Sequence, residues 1–278
     1  IRDKDGHRIV IVTTDLIGFS RDFSDSVFNQ ARERFGLNRE EILLTCSHTH
    51  SGPVVGSNLR TMYQLTEEEA ATIDEYTKQL SEKLLTAVSQ SLQTMQPARL
   101  RLGHGKTDFA INRREKRGEG VVLGVNPSGP SDHDVPVLTV TAPDGKLRAI
   151  LFGYACHNTT IGGTTGDDFY KIHGDYAGVA QAELESAHPE VTAMFTILCG
   201  ADQNPNPRGA VDYVVQHGKS LAQAVEQVLQ GTMQEIKPPI RGAVAYADVE
   251  FAPHTREMFQ EELEKAVAAK DIYREGRA

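Results

Sequence analysis

The sequence predicts an α/β fold in which a mixed β-sheet core is flanked by helices and a site lies at the C-terminal ends of strands. Short apolar runs typical of strands alternate with longer segments whose apolar residues recur every three or four positions, as in amphipathic helices. Pro143-Asp144-Gly145 separates two of the strand-like runs and is typical of a hairpin turn, so those strands are antiparallel. The sheet is therefore predicted to be mixed.

The N-terminal part of the chain is predicted to hold three strands and two helices. The longer helix begins after Thr66, which forms a capping box with Glu69, and it ends before Pro97. In chain order, the predicted elements are a strand at 8–16, a helix at 23–35, a strand at 42–46, a helix at 67–95 and a strand at 99–102.

The rest of the chain is predicted to alternate between strands and helices after one long loop. Residues 112–134 are rich in Gly, Asn, Pro and Asp and are predicted to form that loop, and a second loop is predicted at 159–172. The remaining predicted elements are strands at 135–142, 148–155, 192–198 and 243–250, and helices at 174–187, 212–230 and 254–272. Because no internal repeat or clear linker is present, we expect residues 1–278 to form a single domain, incomplete at both ends.

Composition narrows the class of protein. The net charge of −9 opposes binding to a nucleic-acid backbone, which needs clustered Lys and Arg. No apolar run approaches the ~20 residues of a membrane span. The chain has neither an initiating Met nor a signal peptide, so we expect a processed or trimmed piece whose start gives no information on export.

The 3 cysteines include no CxxC pair and predict no disulfide framework. They are typical of buried small side chains, and a metal-ligand role is the alternative.

Two histidines that follow apolar strands are candidate metal ligands. The strand at 42–46 leads into Ser47-His48-Thr49-His50-Ser51-Gly52-Pro53, and the strand at 148–155 leads into Cys156-His157-Asn158. Ligands of open α/β sheets bind beyond the C-terminal ends of strands, and imidazole is the commonest metal ligand in proteins. A structural role for His48 or His157 is the alternative. His50 shares a face with His48 in extended backbone, and it is a third ligand, a proton-transfer residue or a partner of a backbone carbonyl.

Other segments carry polar side chains suited to the same site. The loop at 202–209, rich in amides and prolines, either places polar groups in a pocket or forms a stiff surface turn. Arg113 is either solvated or holds an oxyanion or carboxylate. Gly174-Asp175 opens a helix, as an N-terminal cap or as support for a ligand histidine. Asp15, at the end of the first strand, is a weaker candidate.

Taken in order, these motifs resemble the neutral/alkaline (non-lysosomal) ceramidase family over nearly the whole chain. The motif at 47–53 resembles the family's signature zinc motif, and Ala155-Cys156-His157-Asn158-Thr159 resembles its second zinc histidine. The other matching segments are Val12-Thr13-Thr14-Asp15-Leu16-Ile17-Gly18, Asn112-Arg113, Gly174-Asp175-Tyr176-Ala177-Gly178 and Ala201-Asp202-Gln203-Asn204-Pro205-Asn206. The order and spacing of the segments carry the resemblance.

The resemblance implies a zinc-dependent hydrolase of C–N amide bonds that acts on a lipid or other amphiphilic amide. It implies that His48 and His157 bind zinc, and that His50 and Arg113 flank the scissile amide and stabilise the transition state. Asp202 and Asn204 are expected to shape the pocket. In the family the products are sphingosine and a fatty acid, and an extracytoplasmic location, secreted or periplasmic, is expected.

The sequence departs from the family's pattern in two places. Asn204 stands where the family has a serine, and a carboxamide cannot serve as the nucleophile, so we expect a ceramidase-like bacterial branch whose substrate can differ. The family's remaining zinc ligands, a glutamate and a tyrosine, are expected to follow residue 278. Within the chain, the candidates to complete the metal site are Asp15, Asp202, His50 and His173.

Two other functions stay open on the same scaffold. Asn204 motivates a metal-dependent hydrolase of another bond, such as an ester. The missing serine and the missing ligands motivate a non-catalytic binding domain. No nucleic-acid partner is expected, and the oligomeric state is not predicted.

Overall fold

The computed structural model of this protein describes residues 1–63, 65–161, 171–250 and 253–268, with side chains to residue 265. It contains two units, residues 1–243 and residues 244–278. In chain order the elements are β1 (Val10–Thr14), α1 (Arg21–Phe35), β2 (Ile42–Cys46), α2 (Glu67–Gln93), β3 (Arg99–Lys106), β4 (Ala110–Arg117), β5 (Gly120–Asn126), β6 (Asp134–Thr141), β7 (Leu147–Tyr154), α3 (Asp175–Ala187), β8 (Thr192–Ile197), β9 (Gln203–Pro205), α4 (Val211–Gln230), β10 (Gln234–Glu235) and α5 (Arg256–Ala268). The predicted α/β class, with a mixed sheet flanked by helices, is confirmed.

The N-terminal layer consists of β1, β2, α1 and α2. The two strands are parallel, and their apolar side chains pack with those of both helices in one hydrophobic cluster that includes Val10, Val27, Ile42 and Leu85. The predicted capping box of α2 is present, because Thr66 Oγ1 accepts from Glu69 N at 3.2 Å and Thr66 N donates to the Glu69 carboxylate at 2.8 Å. Short 3₁₀ helices lie at Arg39–Glu41 and Arg60–Met62.

The main sheet has five strands in the order β10-β3-β6-β7-β8. β6 and β7 are antiparallel through the predicted turn, in which Gly145 has a φ of 87°, and β7 and β8 are parallel. Apolar residues of β6, β7 and β8 pack with α3 and α4 in a second hydrophobic cluster, whose large buried side chains include Phe152, Tyr154, Phe195 and Leu221. A hydrogen bond between the hydroxyls of Thr45 and Thr196 joins β2 of the N-terminal layer to β8.

The predicted loop at 112–134 is wrong over most of its length. Residues 110–126 form a β-hairpin of β4 and β5, and β4 also pairs with the short strand β9, so that a third sheet has the order β5-β4-β9. Gly118, at the turn, has a φ of 58°, which favours glycine. Most side chains of β5 are exposed, so burial imposes no apolar alternation on this hairpin that could reveal it.

The predicted strand at 243–250 is also wrong. These residues have no strand pairing within the described part of the chain, and residues 244–250 are all exposed. Alternating apolar residues are insufficient for a strand, because the backbone needs a partner strand for its hydrogen bonds. The predicted C-terminal helix is present as α5, although residues 269–272 lie outside the described residues, as do residues 162–170 of the predicted second loop. No described helix has the length and hydrophobicity needed to cross a bilayer.

Candidate metal centre

His48 lies two residues beyond the end of β2, in a strained backbone conformation. Its φ is 60°, a value that side-chain-bearing residues rarely adopt. Its Nδ1 lies 2.5 Å from the carbonyl oxygen of Ile17, in the segment that follows β1. Because a carbonyl only accepts, this Nδ1 carries the proton, and the lone pair of the ring is on Nε2.

His157 lies beyond the end of β7 and is held in the same way. Its Nδ1 donates to the carbonyl of Gly200 at 2.7 Å, and its backbone N donates to Gln203 O at 3.0 Å. Gly200 follows β8, the parallel neighbour of β7. Two pairs of parallel strands therefore each supply one imidazole and the carbonyl that orients it.

The two oriented rings meet each other and His50. The Nε2 atoms of His48 and His157 are 3.2 Å apart, and those of His50 and His48 are 3.4 Å apart. One ligand atom from each of the three rings lies within 4.8 Å of the others. His157 is buried, His48 is half-buried and His50 is exposed, so the cluster opens toward solvent on the side of His50.

The donor set fits a metal ion. Two Nε2 lone pairs that face each other at 3.2 Å repel unless a cation or a proton lies between them. Zinc–imidazole bonds of about 2.0–2.1 Å in a tetrahedron place neighbouring nitrogen atoms about 3.3 Å apart. The two spacings of 3.2 Å and 3.4 Å match that value. Three protein ligands would leave one position open for a water or a substrate.

Desolvation and nearby positive charge keep the rings of His50 and His157 neutral. Burial, together with the charges of Arg113 and His48, lowers the pKa of His157 to about 4. Desolvation, together with the charges of His48, His157, Arg113 and Arg208, lowers the pKa of His50 to about 4. Neutral imidazole is the form that binds a metal. At neutral pH both rings are therefore available as ligands without losing a proton.

The same shifts predict how the stability of the metal-free protein depends on pH. An unfolded histidine has a pKa of about 6.5, so the unfolded state takes up the proton first as the pH falls. Stability should thus be lost between about pH 6.5 and pH 4, and the buried ring of His157 should account for about 2 kcal/mol of that loss near pH 4.5. Chemical unfolding with a chelator present would measure it. His157→Gln, which lacks the ring, should lose less stability over this range, and an equal loss would contradict the assignment.

Hydrogen bonds between the two histidine segments and the start of α3 frame the cluster. Thr49 Oγ1 donates to His173 O at 2.7 Å, and Asn158 Nδ2 donates to Gly174 O at 2.9 Å. His173 Nδ1 accepts from the backbone N of Asp175 at 2.8 Å, so this ring caps the helix. Asp175 is buried, and its carboxylate accepts from Ile161 N at 3.0 Å. The segment at 173–175 thus supports the histidine loops.

Arg113 and Asn204 are in contact beside the cluster. The pairing of β4 with β9 brings Asn112 opposite Gln203, and Arg113 Nη1 donates to Asn204 Oδ1 at 3.2 Å. A guanidinium has only donors, so Oδ1 must face Arg113 and the Nδ2 donors of Asn204 face away. Within the described residues these donors have no hydrogen-bond partner. Burial lowers the pKa of Arg113, and the charges of Arg114 and Arg208 lower it further, yet it stays a cation.

The structure brings together His48, His50 and His157 as a possible ligand set. The other residues predicted to complete the metal site do not belong to this set. Asp15, Asp202 and His173, named as candidates to complete the metal site, are not members of the described cluster of His48, His50 and His157. The Asp202 carboxylate accepts from Asn112 Nδ2 at 3.3 Å, and its backbone carbonyl accepts from Arg113 N at 2.8 Å. Asp202 therefore contacts the backbone of Arg113 and the side chain of its neighbour Asn112.

Several supporting residues were missed by the sequence interpretation. Gln203 is buried, and its Nε2 donates to Ala155 O at 2.6 Å while its Oε1 accepts from Asp132 N at 2.7 Å. Arg208 is exposed and adds positive charge near His50. For Gln203 and Arg208 the only sequence signal is their position in the amide-rich loop at 202–209. The carbonyl of Ile17 has no sequence signal, and for the carbonyl of Gly200 the only signal is the glycine itself, since backbone atoms crowd the place of a Cβ.

Gly200 offers a test of the support for His157. A Cβ at this position would lie 2.5 Å from Cys156 N and 2.8 Å from Ala155 C, both backbone atoms that cannot move aside cheaply. We expect Gly200→Ala to lower the free energy of unfolding by about 1–3 kcal/mol and the metal affinity by roughly 10–100-fold, because the carbonyl that orients His157 must shift. Denaturant unfolding and zinc titration would measure the two effects.

Gly178→Ala is the matched control for this substitution. Gly178 lies within α3, and a Cβ there meets nothing within 4 Å, so the variant should keep its metal affinity and gain up to about 1 kcal/mol of stability. Unchanged metal binding in Gly200→Ala would mean that the Gly200 carbonyl does not determine the orientation of His157.

Comparisons with known proteins identify the family. The family model for the N-terminal region of neutral/alkaline non-lysosomal ceramidases matches residues 1–214. A solved ceramidase complexed with C2 matches with a TM-score of 0.66 and 19% sequence identity, over 84% of this chain and 38% of that chain. Neutral ceramidase from Pseudomonas aeruginosa matches with a TM-score of 0.67 and 18% identity, over 86% of this chain and 39% of that chain. No curated protein sequence matches.

These structural matches show a shared fold, and this chain spans 38% and 39% of the two structures. The family match covers the segments that contain β1, the histidine motifs and the amide-rich loop. The resemblance drawn from the motifs is confirmed, and the chain belongs to the neutral/alkaline non-lysosomal ceramidase family.

Proposed function

We propose that this protein is a zinc-dependent hydrolase of C–N amide bonds that acts, in the manner of a ceramidase, on a lipid or other amphiphilic amide. The convergence of three Nε2 atoms, two of them oriented by carbonyls, carries the proposal. Zinc is proposed because its tetrahedral geometry and its preference for neutral imidazole fit this donor set. Membership of the ceramidase family supports the amide as the bond cleaved.

His48 and His157 would hold the metal, since their Nδ1 anchors fix the direction of both lone pairs. When bound, zinc supplies a Lewis acid that polarises the amide carbonyl and acidifies water. His50 is exposed, and no described group anchors its Nδ1. It is therefore free to complete the ligand set or to accept a proton from the attacking water and return it to the leaving nitrogen.

Arg113 and Asn204 would bind the oxygen that becomes negative during attack. The guanidinium provides a positive charge, and the Nδ2 donors of Asn204 provide neutral hydrogen bonds in a partly buried setting. A carboxamide is not a nucleophile, so the attacking group in this protein is water. Asp202 keeps Arg113 in place through its backbone carbonyl.

The test combines metal analysis with a substrate panel. The purified protein should retain zinc and His48→Ala should not, whereas His188→Ala, whose ring bonds Glu226 outside the cluster, should retain zinc as the wild type does. Amide cleavage is then measured with N-acylsphingosine and with an ester analogue of the same chain length. Ester cleavage without amide cleavage would favour an esterase, and zinc-loaded protein that binds both without cleaving either would favour a binding domain. Equal zinc contents in all three proteins would reject the metal site.

The single-domain organisation and the extracytoplasmic location stay predictions within this proposal. The location rests on family resemblance alone. Fractionation of the source cells, with detection of the protein outside the cytoplasm, would test the location.

A further inference from the structure

One face of the hairpin β4–β5 combines exposed apolar and basic side chains. In the antiparallel register Arg114 pairs with Leu123 and Lys116 pairs with Val121, and directly opposed residues project from the same face of a sheet. Val121 is 63% exposed and Leu123 is 67% exposed, although both are large aliphatic residues. These four residues form the hairpin face.

The charge of the hairpin face differs in sign from that of the protein. The whole chain has a net charge of −9, whereas residues 113–123 contain four basic and two acidic residues. Glu115 belongs to the opposite face, where Gly124 leaves room for it, and its carboxylate accepts from Arg117 Nε at 2.9 Å. Since charges in solution are screened within about 8–10 Å, an anionic partner at this face would meet local positive charge rather than the negative total.

The hairpin face includes the edge strand of its sheet, as far as the described residues show, and is continuous with the candidate metal centre. β5 is the outer strand of the sheet β5-β4-β9, and β4 carries Arg113, which contacts Asn204 beside the histidine cluster. Arg114 Nη2 also reaches the carbonyl of Ala201 at 3.4 Å, next to the Gly200 carbonyl that orients His157. A surface that bound the hairpin face would therefore be held close to the site.

We propose that the hairpin face docks on a lipid bilayer that contains anionic headgroups. Val121 and Leu123 would enter the boundary between headgroups and acyl chains, and Lys116 and Arg114 would contact headgroup phosphates. A second copy of the chain fits less well, because two such faces would oppose basic residues to one another. The choice of a lipid rather than an acidic protein rests on the proposed function, in which the substrate is an amphiphile that partitions into membranes.

Vesicle sedimentation tests the docking without any catalytic step. The protein should sediment with phosphatidylcholine–phosphatidylglycerol vesicles more than with phosphatidylcholine vesicles, and added salt should weaken the binding. The double variant Val121→Glu, Leu123→Glu should bind the anionic vesicles on the order of tenfold more weakly, and Lys116→Glu should lose most of the preference for anionic vesicles. Met62→Glu is the control, because Met62 is also 63% exposed and lies outside the hairpin.

The outcomes separate this proposal from the proposed function. Circular dichroism and turnover of a short-chain, water-soluble amide should be the same in the double variant and the wild type, which shows that the fold and the site are intact. Equal vesicle binding by the wild type and the double variant would overturn the docking while leaving the amide hydrolase standing. Concentration-dependent self-association that the double variant abolishes, without vesicle binding, would assign the face to a second copy. Vesicle binding without amide turnover would reject the proposed function alone.

Discussion

Replacing His157 by alanine is expected to lower the affinity for zinc by on the order of 100-fold or more. Loss of a group that only orients a metal ligand already costs 10–100-fold, and this change removes the ligand itself, whose direction is fixed by the Gly200 carbonyl at 2.7 Å. Amide turnover should fall with zinc occupancy. Calorimetric titration with zinc, in parallel with an activity assay at saturating zinc, would measure both quantities.

Loss of folding must be separated from loss of the ligand in this variant. His157 is buried, and its removal leaves the Gly200 carbonyl without a partner, which costs about 1–3 kcal/mol of stability. His157→Gln can still donate to that carbonyl and should recover part of the stability without the zinc affinity. If His157→Ala is folded and binds zinc as tightly as the wild type, the histidine cluster is not the metal site.

Replacing Asn204 by alanine is expected to lower turnover by roughly 100-fold while leaving zinc affinity unchanged. The Nδ2 donors are lost, and Arg113 Nη1 loses its 3.2 Å acceptor, so both groups proposed to bind the oxyanion are affected. The free energy of unfolding should change little, because Asn204 lies in β9 through backbone pairing with Ile111. Steady-state kinetics with an amide substrate would show the effect in kcat.

Two further variants show whether a loss of turnover in Asn204→Ala comes from the lost Nδ2 donors. Asn206→Ala is the matched control, since Asn206 is exposed and lies two residues farther along the same loop, and it should keep normal turnover. Asn204→Ser restores the family's residue and retains one hydroxyl donor, so it should turn over substrate faster than Asn204→Ala. Equal kcat values for Asn204→Ala and the wild type would remove Asn204 from the mechanism.

Elements that follow from local patterns could be predicted from the sequence. Three such patterns depend on residues close together in the chain. They are the apolar residues at helical spacing in α2, the capping box of Thr66 and Glu69, and the turn at 143–145. The strand-end rule is equally local. It pointed to His48 and His157, whose Nε2 atoms lie 3.2 Å apart although β2 and β7 belong to different sheets. That rule predicts where ligands gather without any knowledge of the order of the strands.

Elements held by distant partners could not be predicted in this way. β4 has the composition of a charged segment because its exposed positions need no apolar side chains. Its register in the sheet also depends on Gln203–Pro205, which lie far along the chain. The orientation of each ligand ring also depends on a backbone carbonyl, a group that every residue carries. Only Gly200, where backbone crowding excludes a Cβ, could have given a sequence signal for such an anchor.

Each of the two hydrophobic clusters of residues 1–243 contains a strand that leads to one histidine, and the two imidazoles meet. His48 follows a strand of the cluster that contains Val27 and Leu85, and His157 follows a strand of the cluster that contains Phe152 and Leu221. A cation bound by both rings would cross-link two layers whose residues lie far apart in the chain. Only the folded state could form this cross-link. Metal uptake would then decide whether these layers melt together or one after the other, which couples the cooperativity of unfolding to the chemistry of the centre.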